Sequence, residues 1–140
     1  MKILILGGKG MAGHVITTYF QQKTEYNVFY TSRDLDDKNS ICIDVTNSTK
    51  LEEIIEEIRP DILINCIGIL NDFASNNSKL AFHVNSSLPH QLVKLTERYQ
   101  GKLIHISTDC VFSGEKGNYT EQDIPDGTSV YAQSKQLGEI

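Results

Sequence analysis

The run Ile3-Leu4-Ile5-Leu6, followed at once by Gly7-Gly8-Lys9-Gly10-Met11-Ala12-Gly13, constrains this chain more than any other stretch. Consecutive apolar residues suit a strand buried on both faces, and the glycines at Gly7-x-x-Gly10-x-x-Gly13 suit a sharp turn into a helix beginning near Met11. Such a succession makes a nucleotide cradle, because glycine backbone can approach a pyrophosphate and a helix N-terminus favours an anion. The spacing departs from G-x-G-x-x-G, and glycine is also common in strand-to-helix turns that bind nothing. There is no Gly-Lys-Ser/Thr, which counts against a nucleoside triphosphatase.

The same alternation continues along the chain. Short apolar runs predict strands at Lys2–Leu6, Asn27–Thr31, Ser40–Ile43, Asp61–Cys66 and Lys102–Ser107, with helical patterns between them. Ile62-Leu63-Ile64 and Leu103-Ile104-His105-Ile106 read as strands buried on both faces. Leu51, Ile54, Ile55 and Ile58 recur at helical spacing, opposite Glu52, Glu53, Glu56 and Glu57, in a helix that should stop before Pro60. Ser78–Tyr99 reads as a longer helix with a kink or break at Pro89 and a stop at Gly101. Ser113–Ser129 is polar and turn-rich, a loop long enough to be functional. The expected fold is therefore α/β, a Rossmann-like doubly wound parallel sheet in the order 3-2-1-4-5, formed by one domain over residues 1–140.

Composition narrows the partners. A formal charge of -5 without a Lys/Arg cluster argues against nucleic acid or an anionic membrane as the main partner. Cys42, Cys66 and Cys110 form no C-x-x-C pair, and His14, His83, His90 and His105 show no ligand spacing, so no disulfide framework and no metal site is expected. A reducing cytoplasm fits these cysteines, and the apolar start is too short for a signal peptide.

At the place where NAD-preferring enzymes carry an acidic residue for the ribose hydroxyls, this chain reads Thr31-Ser32-Arg33. A guanidinium can fork onto a 2′-phosphate and stack on adenine, so Ser32 and Arg33 predict NADP(H) over NAD(H). Asp34, Asp36 and Asp37 work against that, and a solvated surface arginine is the bland alternative. Asp44 suits the adenine amino group, or equally an ordinary turn or cap.

Tyr131-Ala132-Gln133-Ser134-Lys135 puts a phenol and an ammonium four residues apart, on one face of a helix. An ammonium beside a phenol favours phenolate, which makes tyrosine a better acid–base partner near neutral pH. Ser107-Thr108 closes the fifth strand at its carboxyl end, where open α/β sheets present ligands, and a hydroxyl there can hold a substrate carbonyl. Taken alone, Tyr-x-x-x-Lys is weak; after a glycine-loop strand and a strand ending in Ser-Thr it is specific.

With these motifs in order, the chain resembles the extended short-chain dehydrogenase/reductase family. It is most similar there to dTDP-4-dehydrorhamnose reductases and related nucleotide-sugar reductases. The resemblance runs through Gly7-x-x-Gly10-x-x-Gly13, Asp44-Val45-Thr46, Asn65-Cys66-Ile67-Gly68, Val84-Asn85-Ser86, Ser107-Thr108-Asp109-Cys110-Val111-Phe112 and Tyr131-x-x-x-Lys135. It implies Thr108, Tyr131 and Lys135 as a catalytic triad. Cofactor contacts are implied at Gly7, Gly10, Met11, Gly13, Ser32, Arg33, Asp44, Val45, Cys66, Ile67, Gly68, Asn85, Tyr131 and Lys135.

The implied activity is reduction of a 4-keto group on a nucleoside-diphosphate deoxysugar, as in dTDP-rhamnose or related polysaccharide precursor synthesis. An epimerase of the same family, or an NADP-binding regulatory subunit without catalysis, is the alternative. Sugar-nucleotide dehydratases of this resemblance carry Asp-Glu after the catalytic threonine, whereas Thr108 here is followed by Asp109-Cys110. Cys66-Ile67-Gly68 replaces the usual small residues, Cys110 stands where an aromatic is common, and Val15 replaces a glutamate that serves a metal at a dimer contact in some relatives. A homodimer remains open. Because relatives continue with further strands and a sugar-covering lobe, the chain is expected to be the N-terminal part of a longer enzyme, binding NADPH without reducing sugar nucleotides by itself.

Overall fold

The computed structural model describes residues Met1–Ile140 and divides into two units, Met1–Ile67 with Gln91–Ile106, and Gly68–His90 with Ser107–Ile140. The first unit holds the sheet. β1 (Lys2–Leu6) lies at its centre, because Ile3, Leu4, Ile5 and Leu6 offer apolar side chains to both faces; all four are fully buried. Each such burial stabilises by about 1.5–3 kcal/mol before the entropy of ordering is subtracted.

Around β1, the strands β2 (Asn27–Ser32), β3 (Ile41–Cys42), β4 (Ile62–Asn65) and β5 (Lys102–His105) pair in parallel, in the order β3-β2-β1-β4-β5. This is the order expected from right-handed crossovers. Leu6 stands opposite Asn65, and Asn65 opposite His105, so the carboxyl ends of β1, β4 and β5 are level. Ile3, Ile5 and Ile64 form a cluster with Ile16, Phe20, Tyr26, Val28, Tyr30, Ile62 and Cys66 packed against it.

Helices α1 (Met11–Gln21) and α2 (Ser48–Ile58) follow β1 and β3. The Asn47 side chain accepts the Lys50 N–H at 3.1 Å, capping α2, and Leu51, Ile54, Ile55 and Ile58 are buried as their spacing predicts. Helix α2 is closed by Arg59, a left-handed cap (φ 48°) whose N–H donates to the Ile55 carbonyl, and Pro60 after it cannot continue the helix.

Two strand expectations need correction. β3 is two residues long rather than four. In β5, Ile104 is 47% exposed and Ile106, just beyond it, 36%, while Leu103 and His105 are half-buried. The strand is therefore not covered on both faces, in keeping with its place at the edge, where β4 is its one neighbour.

The second unit holds α3 (Asn71–Asn76), α4 (Ser78–Phe82), a π turn (His83–Ser87), a 3₁₀ turn (Asp109–Val111) and α6 (Val130–Gln136). The single long helix expected over Ser78–Tyr99 is instead α4, the π turn and α5 (Leu88–Glu97) in succession. In the π turn the Leu88 N–H donates to the His83 carbonyl, five residues back. Pro89, expected to disturb the helix, follows immediately and has no N–H to donate. Ala74, Ala81 and Tyr131 form this unit's buried cluster, with Ile69 and Val130 against it. No helix in the chain is long and apolar enough to cross a membrane.

Candidate active site

In the first unit, β1 delivers the chain to Gly7, which takes φ 77°, a conformation that side chains disfavour. Its N–H donates to Thr31 Oγ1 at 3.1 Å, and the Gly8 N–H donates to the Thr31 carbonyl at 2.8 Å, so the loop is tied to β2. The Gly10 N–H closes the turn on the Gly7 carbonyl at 2.9 Å. Gly13 is packed so closely that a Cβ there would sit 2.0 Å from the Gly7 oxygen. At the start of α1, Gly10 provides no side-chain cap and the first turn holds no acidic residue. A cradle closed to side chains, beneath a helix end free of competing anions, fits a pyrophosphate. Met11, the first residue of α1, is 84% exposed at this end.

At the end of β2, Ser32 is buried; its Oγ lies 2.8 Å from Ser40 Oγ and accepts the Asp34 N–H at 3.1 Å. Arg33 is exposed. Asp44, after β3, accepts the Thr46 N–H at 2.9 Å and the Thr46 hydroxyl at 2.7 Å. Those bonds, backbone first and hydroxyl second, hold its carboxyl below the usual 3.8, and Arg33 nearby adds to the effect. Asp44 is thus a turn-forming residue, and Val45 beside it is buried. Past β4, the Cys66 N–H donates to the Leu6 carbonyl, and burial pushes the Cys66 thiol up to about 11. The Ile67 N–H donates to Asn65 Oδ1 at 3.1 Å, and a Cβ on Gly7 would meet Ile67 at 2.8 Å.

In the second unit, Thr108 caps the 3₁₀ turn, its Oγ1 accepting the Cys110 N–H at 3.2 Å. That turn packs against α6, whose own cap is Ser129 Oγ accepting the Ala132 N–H at 3.0 Å. Tyr131 and Lys135 are both buried on α6, at 9% and 2% exposure. Burial holds the Lys135 ammonium below the usual lysine range, with Glu139 acting in the opposite direction. Beside the 3₁₀ turn, Asp109, Cys110, Phe112, Ser113, Gly114 and Tyr119 line an open cleft of about 430 Å³. The loop after it is organised by Asp126, which accepts the Ser113 N–H at 2.6 Å and the Tyr119 hydroxyl at 2.9 Å, and by Phe112 stacked on Tyr119 at 4.5 Å.

The residues that dock α6 were not singled out from the sequence. Ser134 is fully buried between Tyr131 and Lys135, and its Oγ accepts from Asn85 Nδ2 at 2.9 Å and donates to the Tyr131 carbonyl at 3.0 Å. Asn85, in the π turn, also donates to the Ile69 carbonyl at 2.9 Å and accepts the Ile69 N–H at 2.8 Å. Ser86 donates to the Ser134 carbonyl at 2.7 Å, and His90 Nε2 lies 2.7 Å from the Leu137 carbonyl. The available signal was the place of Ser134, three residues after Tyr131 and hence on its face of the helix. Gly68 belongs to this network, since a Cβ there would lie 3.5 Å from Asn85 Oδ1. No group of three or more His, Cys, Asp or Glu is arranged to hold a metal ion.

A parallel sheet in this order, a glycine cradle after β1, and a buried tyrosine and lysine four residues apart define the chain as a Rossmann-like member of the short-chain dehydrogenase/reductase class. Within it, the chain belongs to the RmlD substrate binding domain family, which it matches over residues 1–140. It is 32% identical to the dTDP-4-dehydrorhamnose reductase of Mycobacterium tuberculosis, over 99% of this chain and 44% of that protein. Among solved structures, it resembles a hypothetical dTDP-4-dehydrorhamnose reductase from Sulfolobus tokodaii, with a TM-score of 0.88, 33% identity and coverage of 99% of this chain and 50% of the other. The Bacillus anthracis dTDP-4-dehydrorhamnose reductase in complex with NADP follows, with a TM-score of 0.85, 28% identity and coverage of 99% and 47%. The chain therefore spans about half the length of these relatives.

Proposed function

We propose that this chain provides the cofactor-binding and proton-transfer residues of a reductase acting on a 4-keto group of a nucleoside-diphosphate deoxysugar, with NADPH preferred over NADH. The observation that carries the reading is the burial of Tyr131 and Lys135 on one helix that packs against the turn capped by Thr108. Gly7, Gly10, Met11 and Gly13 would hold the pyrophosphate, Ser32 and Arg33 the 2′-phosphate, and Asp44 and Val45 the adenine. Cys66, Ile67, Gly68 and Asn85 are assigned to the remainder of the cofactor, with Tyr131 and Lys135 at its reactive end. The bound nicotinamide supplies the hydride.

The protein's task is then the proton. Tyr131 Oη gives it to the carbonyl oxygen, and the Lys135 ammonium on the same helix face stabilises the phenolate left behind. Thr108 Oγ1 accepts from Cys110 N–H, so its own hydroxyl hydrogen remains to orient the substrate oxygen. The similarity to named dTDP-4-dehydrorhamnose reductases supports the choice of reduction.

The test is cofactor oxidation with a panel of nucleotide-linked keto sugars, using this chain and the longest natural polypeptide that contains it. Tyr131→Phe should remove most turnover and leave NADPH affinity nearly unchanged, because the proton donor alone is lost. Near-normal turnover by that variant refutes the assignment. Epimerised sugar without net cofactor oxidation would replace reductase by epimerase.

A further inference from the structure

The residues assigned to proton transfer come from two stretches of chain. Tyr131 and Lys135 lie on α6, whereas Thr108 opens the 3₁₀ turn and is separated from them in sequence by the loop Ser113–Ser129. A carbonyl held by Thr108 can take a proton from Tyr131 only if the two stretches keep one spacing. Just past α6 stands Glu139, a carboxylate where the last carbonyls of a helix favour a cation. Two partners compensate it. The carboxylate accepts the hydroxyl of Ser107, the residue directly before Thr108, and its charge favours the Lys135 ammonium that burial disfavours.

The turn that presents Glu139 is held in place. Gly138 packs so tightly on the π turn that a Cβ there would sit 2.2 Å from the Asn85 carbonyl oxygen. Its N–H donates to the Lys135 carbonyl at 3.0 Å, and the Glu139 N–H donates to the Gln136 carbonyl at 3.1 Å. His90 Nε2, 2.7 Å from the Leu137 carbonyl, adds a further anchor. Glycine at 138 thus lets the end of α6 close onto the π turn, and the next side chain meets Ser107. Thr108 is restrained from its other side, since its Oγ1 accepts the Cys110 N–H at 3.2 Å.

We propose that Glu139 is a positioning residue: through Ser107 it ties the chain beside Thr108 to the end of the helix that carries Tyr131 and Lys135, and so sets the Thr108 hydroxyl against the proton donor. The proposal rests on the reductase reading above and adds to it a residue that touches neither substrate nor cofactor. Glu139 acts through the Ser107 hydrogen bond; its charge is secondary.

Amide hydrogen exchange in the 140-residue chain, followed by NMR, reads the tether at the Cys110 N–H, which bonds to Thr108. Glu139→Ala and Ser107→Ala should each speed that exchange by about three- to tenfold, the scale of one hydrogen bond, and the double variant should add nothing further. Both side chains are exposed, so the urea midpoint should stay in place. Glu139→Gln keeps an oxygen that accepts from Ser107 and removes the charge, so it should restore slow exchange. In the longest natural polypeptide containing the chain, with NADPH and dTDP-4-dehydrorhamnose, the alanine variants should lower kcat by roughly tenfold with KM within about twofold, and Glu139→Gln should recover most of that loss. Unchanged exchange or unchanged kcat in the alanine variants would overturn the proposal. So would a Gln variant as impaired as Ala, which would assign the effect to charge on Lys135. Failure of the reductase reading has a different signature: no turnover by the unmutated polypeptide, with the exchange pattern intact and the tether upheld.

Discussion

The contact between Asn85 and Ser134 should be among the most costly polar interactions to break in this protein. Both residues are fully buried, and the Asn85 amide makes three bonds, two of them to the backbone of Ile69. Ser134→Ala leaves one Asn85 N–H buried without its partner, at a cost of about 1–3 kcal/mol. Asn85→Ala strands the N–H and the carbonyl of Ile69 and opens a small cavity, so the loss rises to about 2–5 kcal/mol. Against a total stability on the order of 5–15 kcal/mol, either change is large. Urea unfolding followed by far-UV circular dichroism reads these differences; the chain has no tryptophan, and its six tyrosines provide a second probe. Because the residues touch, the double variant should be less damaged than the sum of the singles, by about 0.5–3 kcal/mol. Single losses under about 0.5 kcal/mol, or strict additivity in the double variant, would refute the view that this bond docks α6.

Gly13→Ala should abolish NADPH binding in calorimetry, since its Cβ would sit 2.0 Å from the Gly7 oxygen and the loop would have to move; retained affinity would mean that the cradle is not the phosphate site. Acid should destabilise the chain in a defined sense. Asp34, Asp37, Asp44, Asp123 and Asp126 all have folded values below 3.8, so the unfolded chain takes up protons first as the pH falls. Their stabilisation is present above 3.8 and is lost as pH drops through the folded values. The urea midpoint should therefore fall in that window, and less steeply in Asp44→Asn; a flat or rising midpoint would contradict the assignment.

The sheet was legible because its central strands are uniformly apolar. Ile3 to Leu6 and Ile62 to Ile64 announce burial without reference to any partner, and helices between such strands leave few topologies. In β5, Leu103-Ile104-His105-Ile106 looks alike in sequence, and its partial exposure follows from β4 being its one neighbour in this sheet. The glycine cradle could be read because each glycine answers a local need of backbone geometry or close approach. Tyr131 and Lys135 stood out because their spacing follows a glycine-loop strand and a strand ending in Ser107-Thr108. What fixes their helix could not be read, since Asn85 and Ser134 are 49 residues apart and neither is unusual by itself. The π turn was likewise hidden. Pro89 marked a disturbance but did not reveal that it would take the form of a widened turn just before the proline.

That widened turn has a consequence for how the chain can change. A wide turn takes up one surplus residue while keeping the helix beyond it nearly in phase, whereas a residue deleted from the regular helix α4 ahead of it rotates everything beyond by about 100° relative to what came before. Asn85 and Ser86 lie inside the turn and His90 just after it, so such a deletion would re-aim the groups that grip α6 while sparing helix content. Length is therefore a specified quantity in α4, Ser78–Phe82, as strictly as residue identity is elsewhere. A spectroscopic test of helicity would be blind to its violation.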